Sequence, residues 1–219
     1  MLMAHIRIHK FRKYCGAYRY VLPGIDLVDQ GTEKHMGYSA AETAKKHERI
    51  LDESIRLFRE WGFSGVSVSE VMSAAGLTHG PFYNHFASKE SLMSEALTRE
   101  MERATGDLDK LPPTQQGKAR YVDDYLSKKH MTDSGGGCAV AALASEVRQE
   151  QHVQGAFTDK LRDFIQKIAI RFPWRSRRSA RGDAIHMFAS MVGALILARA
   201  VNDNEFAQEI LTETRKRIV

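Results

Sequence analysis

Cysteine and proline are scarce in this chain of 219 residues. Two cysteines, Cys15 and Cys138, are too few for a disulfide framework or a four-cysteine zinc site. Five prolines fit long helices better than a loop-rich β protein. With 43% hydrophobic and 27% charged residues, the composition excludes a wholly disordered or fibrous chain. The cysteine content predicts a protein of the reducing cytoplasm.

Sequence motifs of enzyme chemistry are also missing. The chain contains no His-Glu-x-x-His, no Gly-x-Ser-x-Gly and no dinucleotide-binding glycine pattern. The three glycines at 135–137 are not followed by Lys-Ser/Thr, so we interpret them as a flexible loop. The histidines show no metal-ligand spacing except at His5 and His9, where a basic tail is the preferred interpretation. We therefore expect no catalytic residue, no metal and no cofactor.

The net charge of +5 is unevenly distributed along the chain. Residues 1–38 carry a net charge of +3, residues 39–103 of −2 and residues 104–219 of +4. Overall basicity is therefore weak evidence for a nucleic-acid partner, and a DNA-binding site must be argued from motifs and their placement.

Residues 1–38 differ from the rest because they show no sustained helical or strand periodicity. They are predicted to be a disordered extension, or sequence that precedes a true translation start at Met36. Basic residues interrupt the apolar stretch at its beginning, so a secretory signal is not predicted.

Residues 41–61 have the apolar spacing of one amphipathic helix, and Gly62 is a stop signal directly behind it. The side chains predicted to face the core are Ile50, Leu51, Ile55, Leu57, Phe58 and Trp61.

Three further helices are predicted from local signals. Ser67 and Glu70 form a capping box that begins a short helix over 68–75, which Gly76 ends. Thr78 is the predicted N-cap of the next short helix, whose Phe82 and Phe86 point into a small core. Ser88 is predicted to cap a fourth helix, with a buried side of Leu92, Met93, Ala96, Leu97 and Met101.

A helix followed by two short helices around a glycine-containing turn has the spacing of a helix-turn-helix. Gly80 makes the start of the second short helix narrow enough for a major groove. Thr78 and His79 offer polar groups to base edges, and Pro81 offers an apolar group to a thymine methyl. The side chains expected to reach phosphates are Tyr83, His85 and Lys89. The same spacing also occurs in helical proteins that do not bind DNA, so the spacing alone leaves both readings open.

The wider string VSEVMSAAGLTHGPFYNHFASKESL, residues 68–92, strongly resembles the N-terminal signature of the tetracycline-repressor (TetR) family of bacterial transcription regulators. The family pattern is Ala-Ala-Gly-Val/Leu-Ser/Thr, then Gly-x-aromatic/aliphatic-Tyr, His/Tyr-Phe and Ser-Lys-Glu with an aliphatic residue. The resemblance covers roughly residues 45–95. A weaker one, at residues 137–146, points to a ligand-domain helix of one branch of the family.

The resemblance implies an all-α homodimer. Residues 39–95 would form the helix-turn-helix DNA-binding domain, and residues 96–219 a helical effector-binding and dimerisation domain. By position in the family motif, the residues that read bases are Thr78, His79, Gly80 and Pro81. Those that contact phosphates are Tyr83, Asn84, His85 and Lys89, with Lys45 and Lys46 at the start of the first helix.

Helices are predicted in the C-terminal half over residues 118–130, 138–151, 153–172, 184–201 and 205–218. The residues predicted to line an effector pocket are Tyr121, Tyr125, Leu143, Phe157, Leu161 and Phe164. Those predicted for a four-helix dimer interface are Phe188, Met191, Val192, Leu195, Phe206 and Ile210. Cys138, at a helix start, is interpreted as a small buried hydrophobe, and a redox role stays open.

Residues 184–201 approach the length of a membrane span, but polar residues interrupt them, so a buried helix is predicted and no membrane contact.

The favoured hypothesis is a cytoplasmic, dimeric repressor that binds a (pseudo)palindromic site on double-stranded DNA and is released by an unknown small-molecule effector. One alternative is a helical small-molecule carrier or enzyme with a three-helix head. Another is an architectural DNA binder without effector control.

Overall fold

The computed structural model describes residues 39–219, which contain α-helices, one short 3₁₀ turn and no strand. The predicted extension over 1–38, with His5, His9 and the proposed start at Met36, lies outside the described residues. The helices are α1 (Ala40–Trp61), α2 (Val68–Ala74), α3 (Phe82–His85), α4 (Lys89–Asp107), α5 (Gln115–Tyr125), α6 (Lys128–Thr132), α7 (Ala139–Val147), α8 (Gln151–Arg171), α9 (Ala180–Ala200) and α10 (Asn204–Ile218). The prediction of an all-α protein is confirmed.

Helix α1 follows its amphipathic pattern except at its last residue. Its buried residues include Ile50 and Phe58, but Trp61 is 69% exposed, against prediction. The chain reverses at Gly62, whose φ of 75° and ψ of 169° lie in a region that essentially only glycine occupies. Phe63 thereby comes back against Phe58, with ring centroids 5.2 Å apart, and takes the core position that the spacing assigned to Trp61.

Local capping signals begin α2 and α4 where the sequence predicts them. Ser67 Oγ accepts from the Glu70 N–H (3.2 Å), and the Glu70 carboxylate accepts from the Ser67 N–H (2.7 Å). Ser88 caps α4 through a reciprocal pair of hydrogen bonds with Ser91. The predicted buried side of α4, from Leu92 to Met101, is confirmed.

The core around α1 to α4 also includes residues from the C-terminal half. Leu143 and Val147 of α7 and Val153 of α8 belong to the same buried cluster as the residues of α1 and α2. Glu146 of α7 accepts a hydrogen bond of 2.7 Å from the Phe63 N–H. The predicted domain boundary between residues 95 and 96 falls inside α4, so one continuous helix crosses it.

A second buried cluster joins α5, α8, α9 and α10. The segment predicted as one helix over 118–130 is two helices, α5 and α6, because the chain turns at Leu126 and Ser127 caps α6 through the His130 N–H (3.1 Å). The composition predicted that helix α9 is buried, but one part of its surface is exposed. Ile185, Ile196 and Leu197 are exposed on it.

Candidate DNA interface

The turn between α2 and α3 is a Schellman motif. The Leu77 N–H donates to the Met72 carbonyl (2.8 Å) and the Gly76 N–H to the Ser73 carbonyl (2.9 Å). Gly76 has a φ of 65°, in the left-handed region that favours glycine. Leu77 then packs against the core, as expected at this position of the motif. This turn sets the path of the chain into α3.

Helix α3 is shorter than predicted, and Thr78 does not cap it. It begins at Phe82 after Pro81, without a side-chain cap. The turn is closed by backbone bonds instead, from the Phe82 N–H to the His79 carbonyl (3.1 Å) and from the Asn84 N–H to the Pro81 carbonyl (3.0 Å). Thr78 is left exposed before the turn.

The residues predicted to read bases lie on the surface of this turn. Thr78, His79 and Gly80 are exposed and Pro81 is half-buried. A Cβ added to Gly80 would have no atom of the chain within 4 Å, so the backbone here is open to a close approach. Phe82 behind them is fully buried. The turn therefore presents a narrow, accessible edge on a packed support.

The residues predicted to contact phosphates differ in accessibility. Tyr83 is 68% exposed and Asn84 is exposed. His85 is half-buried, and burial, reinforced by the nearby positive charges of His47 and Lys46, lowers the pKa of its imidazole. His85 is therefore a neutral hydrogen-bonding group at pH 7 rather than a cation.

Lys89 has a structural contact that its position in the sequence did not reveal. Its Nζ donates to the Phe63 carbonyl (2.6 Å), which joins the start of α4 to the turn after α1. An ammonium group has three N–H donors, so two remain beyond this bond.

The start of α1 supplies further basic side chains. Lys45 is exposed, whereas Lys46 is half-buried and pairs with Glu42 (3.3 Å). Arg49 was not among the predicted contacts, yet its guanidinium is 3.7 Å from the position a Gly76 Cβ would take, beside the turn between α2 and α3. The signal that could have revealed it is the spacing of four residues from Lys45, which places both on one face of α1.

In residues 39–103, whose net charge is −2, acidic side chains of α1 form ion pairs with arginines of α4. Arg99 pairs with Glu48 (2.6 Å) and Asp52 (2.8 Å), and Arg103 also reaches Asp52 (3.0 Å). The Glu95 carboxylate of α4 contacts His47 Nε2 of α1 at 2.6 Å. The acidic residues thus hold the helices together, which explains how a net-acidic segment is compatible with an anionic partner.

A cavity of about 210 Å³ lies among α4, α5, α7, α8 and α9. Three of the six residues predicted for an effector pocket, Tyr121, Tyr125 and Phe164, line it. The other three, Leu143, Phe157 and Leu161, pack in or against the core around α1 to α4 and do not line it. Helices α7 and α8 contact both the cavity and the N-terminal helices. The apolar pattern of each helix could not show which of its residues lies at which place.

The residues predicted for a dimer interface also divide into two groups. Phe188, Met191 and Leu195 are buried within the chain itself and present no surface to a partner, and Phe188 instead lines the cavity. Val192 and Ile210 are half-buried and Phe206 is exposed. The exposed apolar residues that the prediction missed are Ile185, Ile196 and Leu197 of α9.

Within residues 39–219, α9 is the helix whose length and composition would allow it to cross a membrane. Core helices of soluble proteins have the same properties, and α9 packs in the second core through residues such as Ala184, Met187 and Ala198. The described residues contain no group of three or more His, Cys, Asp or Glu side chains placed to hold a metal ion.

These features define a helix-turn-helix protein: α3 exposes one face, a Schellman turn joins it to α2, and the buried Phe82 holds it on the core. The family model "Bacterial regulatory proteins, tetR family" matches residues 50–96. Over these residues the chain matches the TetR family of bacterial transcription regulators, and its resemblance to that family is confirmed.

Two curated regulators are similar to the N-terminal part of the chain. The chain is 46% identical to the uncharacterized HTH-type transcriptional regulator YerO of Bacillus subtilis over 52 residues, which are 24% of the chain and 18% of YerO. It is 43% identical to the HTH-type transcriptional regulator AcrR of Shigella flexneri over 86 residues, 39% of the chain and 37% of AcrR. The matches thus span less than half of either regulator.

The fold as a whole is similar to the crystal structure of Escherichia coli NemR in its reduced form. The TM-score is 0.68 at 20% identity, and the match covers 80% of this chain and 95% of NemR. At this identity the likeness extends the shared fold into the C-terminal helices and carries no statement about a ligand.

Proposed function

We propose that this protein is a sequence-specific DNA-binding transcription regulator that acts as a cytoplasmic homodimer and is released from DNA by a small-molecule effector. The observation that carries the proposal is the exposed edge from Thr78 to Pro81, with Tyr83 beside it, held on the fully buried Phe82. The TetR family consists of DNA-binding regulators rather than enzymes, which supports the same conclusion.

The exposed edge suits a major groove. Thr78 and His79 provide hydrogen-bonding groups for base edges, and Gly80 leaves room for the backbone to approach. Tyr83, Asn84 and the basic residues Lys45 and Arg49 would contact phosphates on either side and fix the orientation on the duplex.

A dimer would present two such edges to one face of DNA. Two recognition elements about 34–36 Å apart meet successive major grooves, so the bound site would be a (pseudo)palindrome. The surface proposed for dimerisation is an apolar stripe on α9, formed by Ile185, Ala189, Val192, Ile196 and Ala200, together with the exposed Phe206 of α10. Its small residues let a second helix approach closely.

Ile196→Glu is expected to dissociate this dimer, because a two-fold axis places both copies of the new carboxylate in an apolar interface. The dimer dissociation constant should rise by at least about tenfold, measured by sedimentation equilibrium. Ile170→Glu, on an exposed isoleucine of α8, is the control and should leave the constant unchanged. Equal constants for the wild type and Ile196→Glu would remove α9 from the interface.

Effector control would use the continuity of α4. This helix begins beside α3, and its residues Glu100, Met101, Ala104 and Asp107 line the cavity. A ligand that binds more tightly to one position of α4 would favour a dimer whose recognition helices no longer have the spacing that DNA requires. The shift in this conformational equilibrium is limited by the difference between the ligand's affinities for the two positions. Adding effector should therefore weaken DNA binding.

Selection of bound sequences from a random duplex pool tests the DNA-binding proposal directly. A palindromic consensus with half-sites one helical turn apart is the expected result. A protein that enriches no sequence and turns over an apolar small molecule would instead be a helical carrier or enzyme. Binding without sequence preference and without response to any ligand would indicate an architectural DNA binder.

On the selected site, base-reading and phosphate-contacting residues should behave differently. Tyr83→Phe should weaken binding to all sites alike, whereas His79→Ala should change the preferred base at one position, by about 1–3 kcal/mol. Both are measured by fluorescence anisotropy on matched and mismatched duplexes. Arg120→Ala, which removes an exposed charge from α5, is the control. Identical profiles for the Tyr83 and His79 variants would refute these roles.

A further inference from the structure

The cavity among α4, α5, α7, α8 and α9 contains an unsatisfied polar group in its lining. Within the described residues, the buried side-chain atoms without a hydrogen bond are the Tyr125 hydroxyl and Arg171 Nε, and of these two residues Tyr125 lines this cavity. Tyr125 is 8% exposed, and the Cys138 thiol is nearby but forms no hydrogen bond of good geometry with it. Buried hydroxyls normally have partners, and a ligand acceptor would satisfy this one.

The Tyr125 hydroxyl is a donor at every physiological pH. Burial, together with the nearby Cys138, raises its pKa far above the usual value for a phenol. Burial raises the pKa of Tyr121 in the same cavity in the same way. A phenol that keeps its proton donates one hydrogen bond to an oxygen or nitrogen of a ligand.

The acidic groups of the cavity already have partners. Glu100 pairs with Arg59 (2.8 Å), and Asp107 pairs with Lys110 (2.6 Å). Neither carboxylate therefore offers an unpaired charge to a cationic ligand.

His130 likewise has both ring nitrogens engaged. Its Nε2 accepts from the Cys138 N–H (3.0 Å), so its Nδ1–H donates to the Tyr125 carbonyl (2.7 Å). The guanidinium of Arg199 is bonded to the carbonyls of His130, Met131 and Asp133. Arg199 is not among the residues that line the cavity, and transfer of a bare charge into an apolar site is unfavourable.

The volume and the lining residues of the cavity indicate the size and the aromatic character of the ligand. An apolar cavity of about 150 Å³ holds benzene, and this one has about 210 Å³. That leaves room for one ring with a small substituent. The rings of Phe164 and Phe188 meet edge-to-face at 4.9 Å, and Tyr125 meets Phe188 in the same manner at 6.3 Å. Such walls favour an aromatic guest.

We propose that the cavity binds a compact, uncharged molecule with one aromatic ring and one hydrogen-bond acceptor, which the Tyr125 hydroxyl bonds. Describing this molecule as the effector rests on the proposed regulatory function. Binding itself does not depend on it.

The test compares three probes by isothermal titration calorimetry on the full chain. Acetophenone carries the acceptor, α-methylstyrene has the same shape with a CH₂ in place of the oxygen, and benzoate carries a charge. Acetophenone should bind about three- to tenfold more tightly than α-methylstyrene, the range expected for one hydrogen bond. Benzoate should not bind. Equal affinity for the first two probes, preference for benzoate, or no binding of acetophenone would each overturn the proposal.

Variants locate the hydrogen bond. Tyr125→Phe should reduce acetophenone affinity to that of α-methylstyrene, while Tyr121→Phe, the same change in the same cavity, should leave the ratio of the two affinities intact. Ala104→Leu should fill the cavity and abolish binding of both probes. Circular dichroism confirms that each variant is folded. A loss of discrimination in Tyr121→Phe but not in Tyr125→Phe would contradict the assignment.

The two proposals fail separately. A protein that selects a DNA site but does not distinguish the probes is a regulator whose cavity has another ligand class. A protein that distinguishes the probes as predicted, yet selects no DNA sequence, binds this ligand class without the proposed regulatory function.

Discussion

Phe82→Ala is expected to lower the free energy of unfolding by about 3–5 kcal/mol, the usual cost of removing a fully buried phenylalanine side chain. A helix of four residues is far too short to be stable by itself, so α3 depends on this side chain for its position. Its ring lies 5.7 Å from that of Phe86 and 5.2 Å from that of Tyr83. Affinity for the selected DNA site should therefore fall by at least about a hundredfold, since several contacts are lost together.

The neighbouring residue provides a matched control. Tyr83→Ala removes an aromatic ring of similar size from the surface, where substitutions usually change stability by less than about 0.5 kcal/mol. Urea unfolding followed by circular dichroism should separate the two variants, although both weaken DNA binding. If Phe82→Ala were as stable as the wild type, the helix-turn-helix would not depend on this core contact.

Arg59→Leu is expected to destabilise the chain by about 3 kcal/mol, because it leaves a largely buried carboxylate without its main partner. The Arg59 and Glu100 side chains are 7% and 16% exposed, and their charged atoms are 2.8 Å apart. Arg59 Nε also donates to the Gly135 carbonyl (2.5 Å), which lies 76 residues away along the chain. One substitution thus removes contacts from α1 to α4 and to the loop before α7. Urea unfolding measures the loss.

Two further variants identify the unpaired charge as the cause. Arg103→Leu, whose side chain is 50% exposed and which also reaches Glu100 (3.4 Å), should cost less than about 1 kcal/mol. The double variant Arg59→Leu/Glu100→Leu should be more stable than Arg59→Leu alone, since no carboxylate is left unpaired. A double variant less stable than the single one would show that lost packing, not lost charge pairing, causes the effect.

Local signals predicted the N-terminal helices well. The capping boxes at Ser67 and Ser88 and the stop at Gly76 act through hydrogen bonds that span three to five residues. Their energetics do not depend on distant parts of the chain, so reading the sequence was sufficient. The exposed edge from Thr78 to Pro81 followed from the same signals, although the start of α3 did not.

Predictions that required a choice between two faces were less successful. Trp61 has the spacing of a core residue but is exposed, because the reversal at Gly62 brings Phe63 into the core instead. Apolar residues occur on all sides of α9. The hydrophobic pattern of the sequence therefore could not distinguish Met191, which is buried within the chain, from Ile196, which is exposed.

The amino-acid sequence alone determined the all-helical class, the resemblance to the TetR family and the helix-turn-helix with its exposed turn, since caps, glycine turns and helical periodicity act over a few neighbouring residues. Only the tertiary structure decided which side chains line the cavity, which apolar stripe of α9 stays open and which charges are paired. These features depend on the packing of helices that are far apart in the chain, as the contact of Arg59 with Gly135 illustrates.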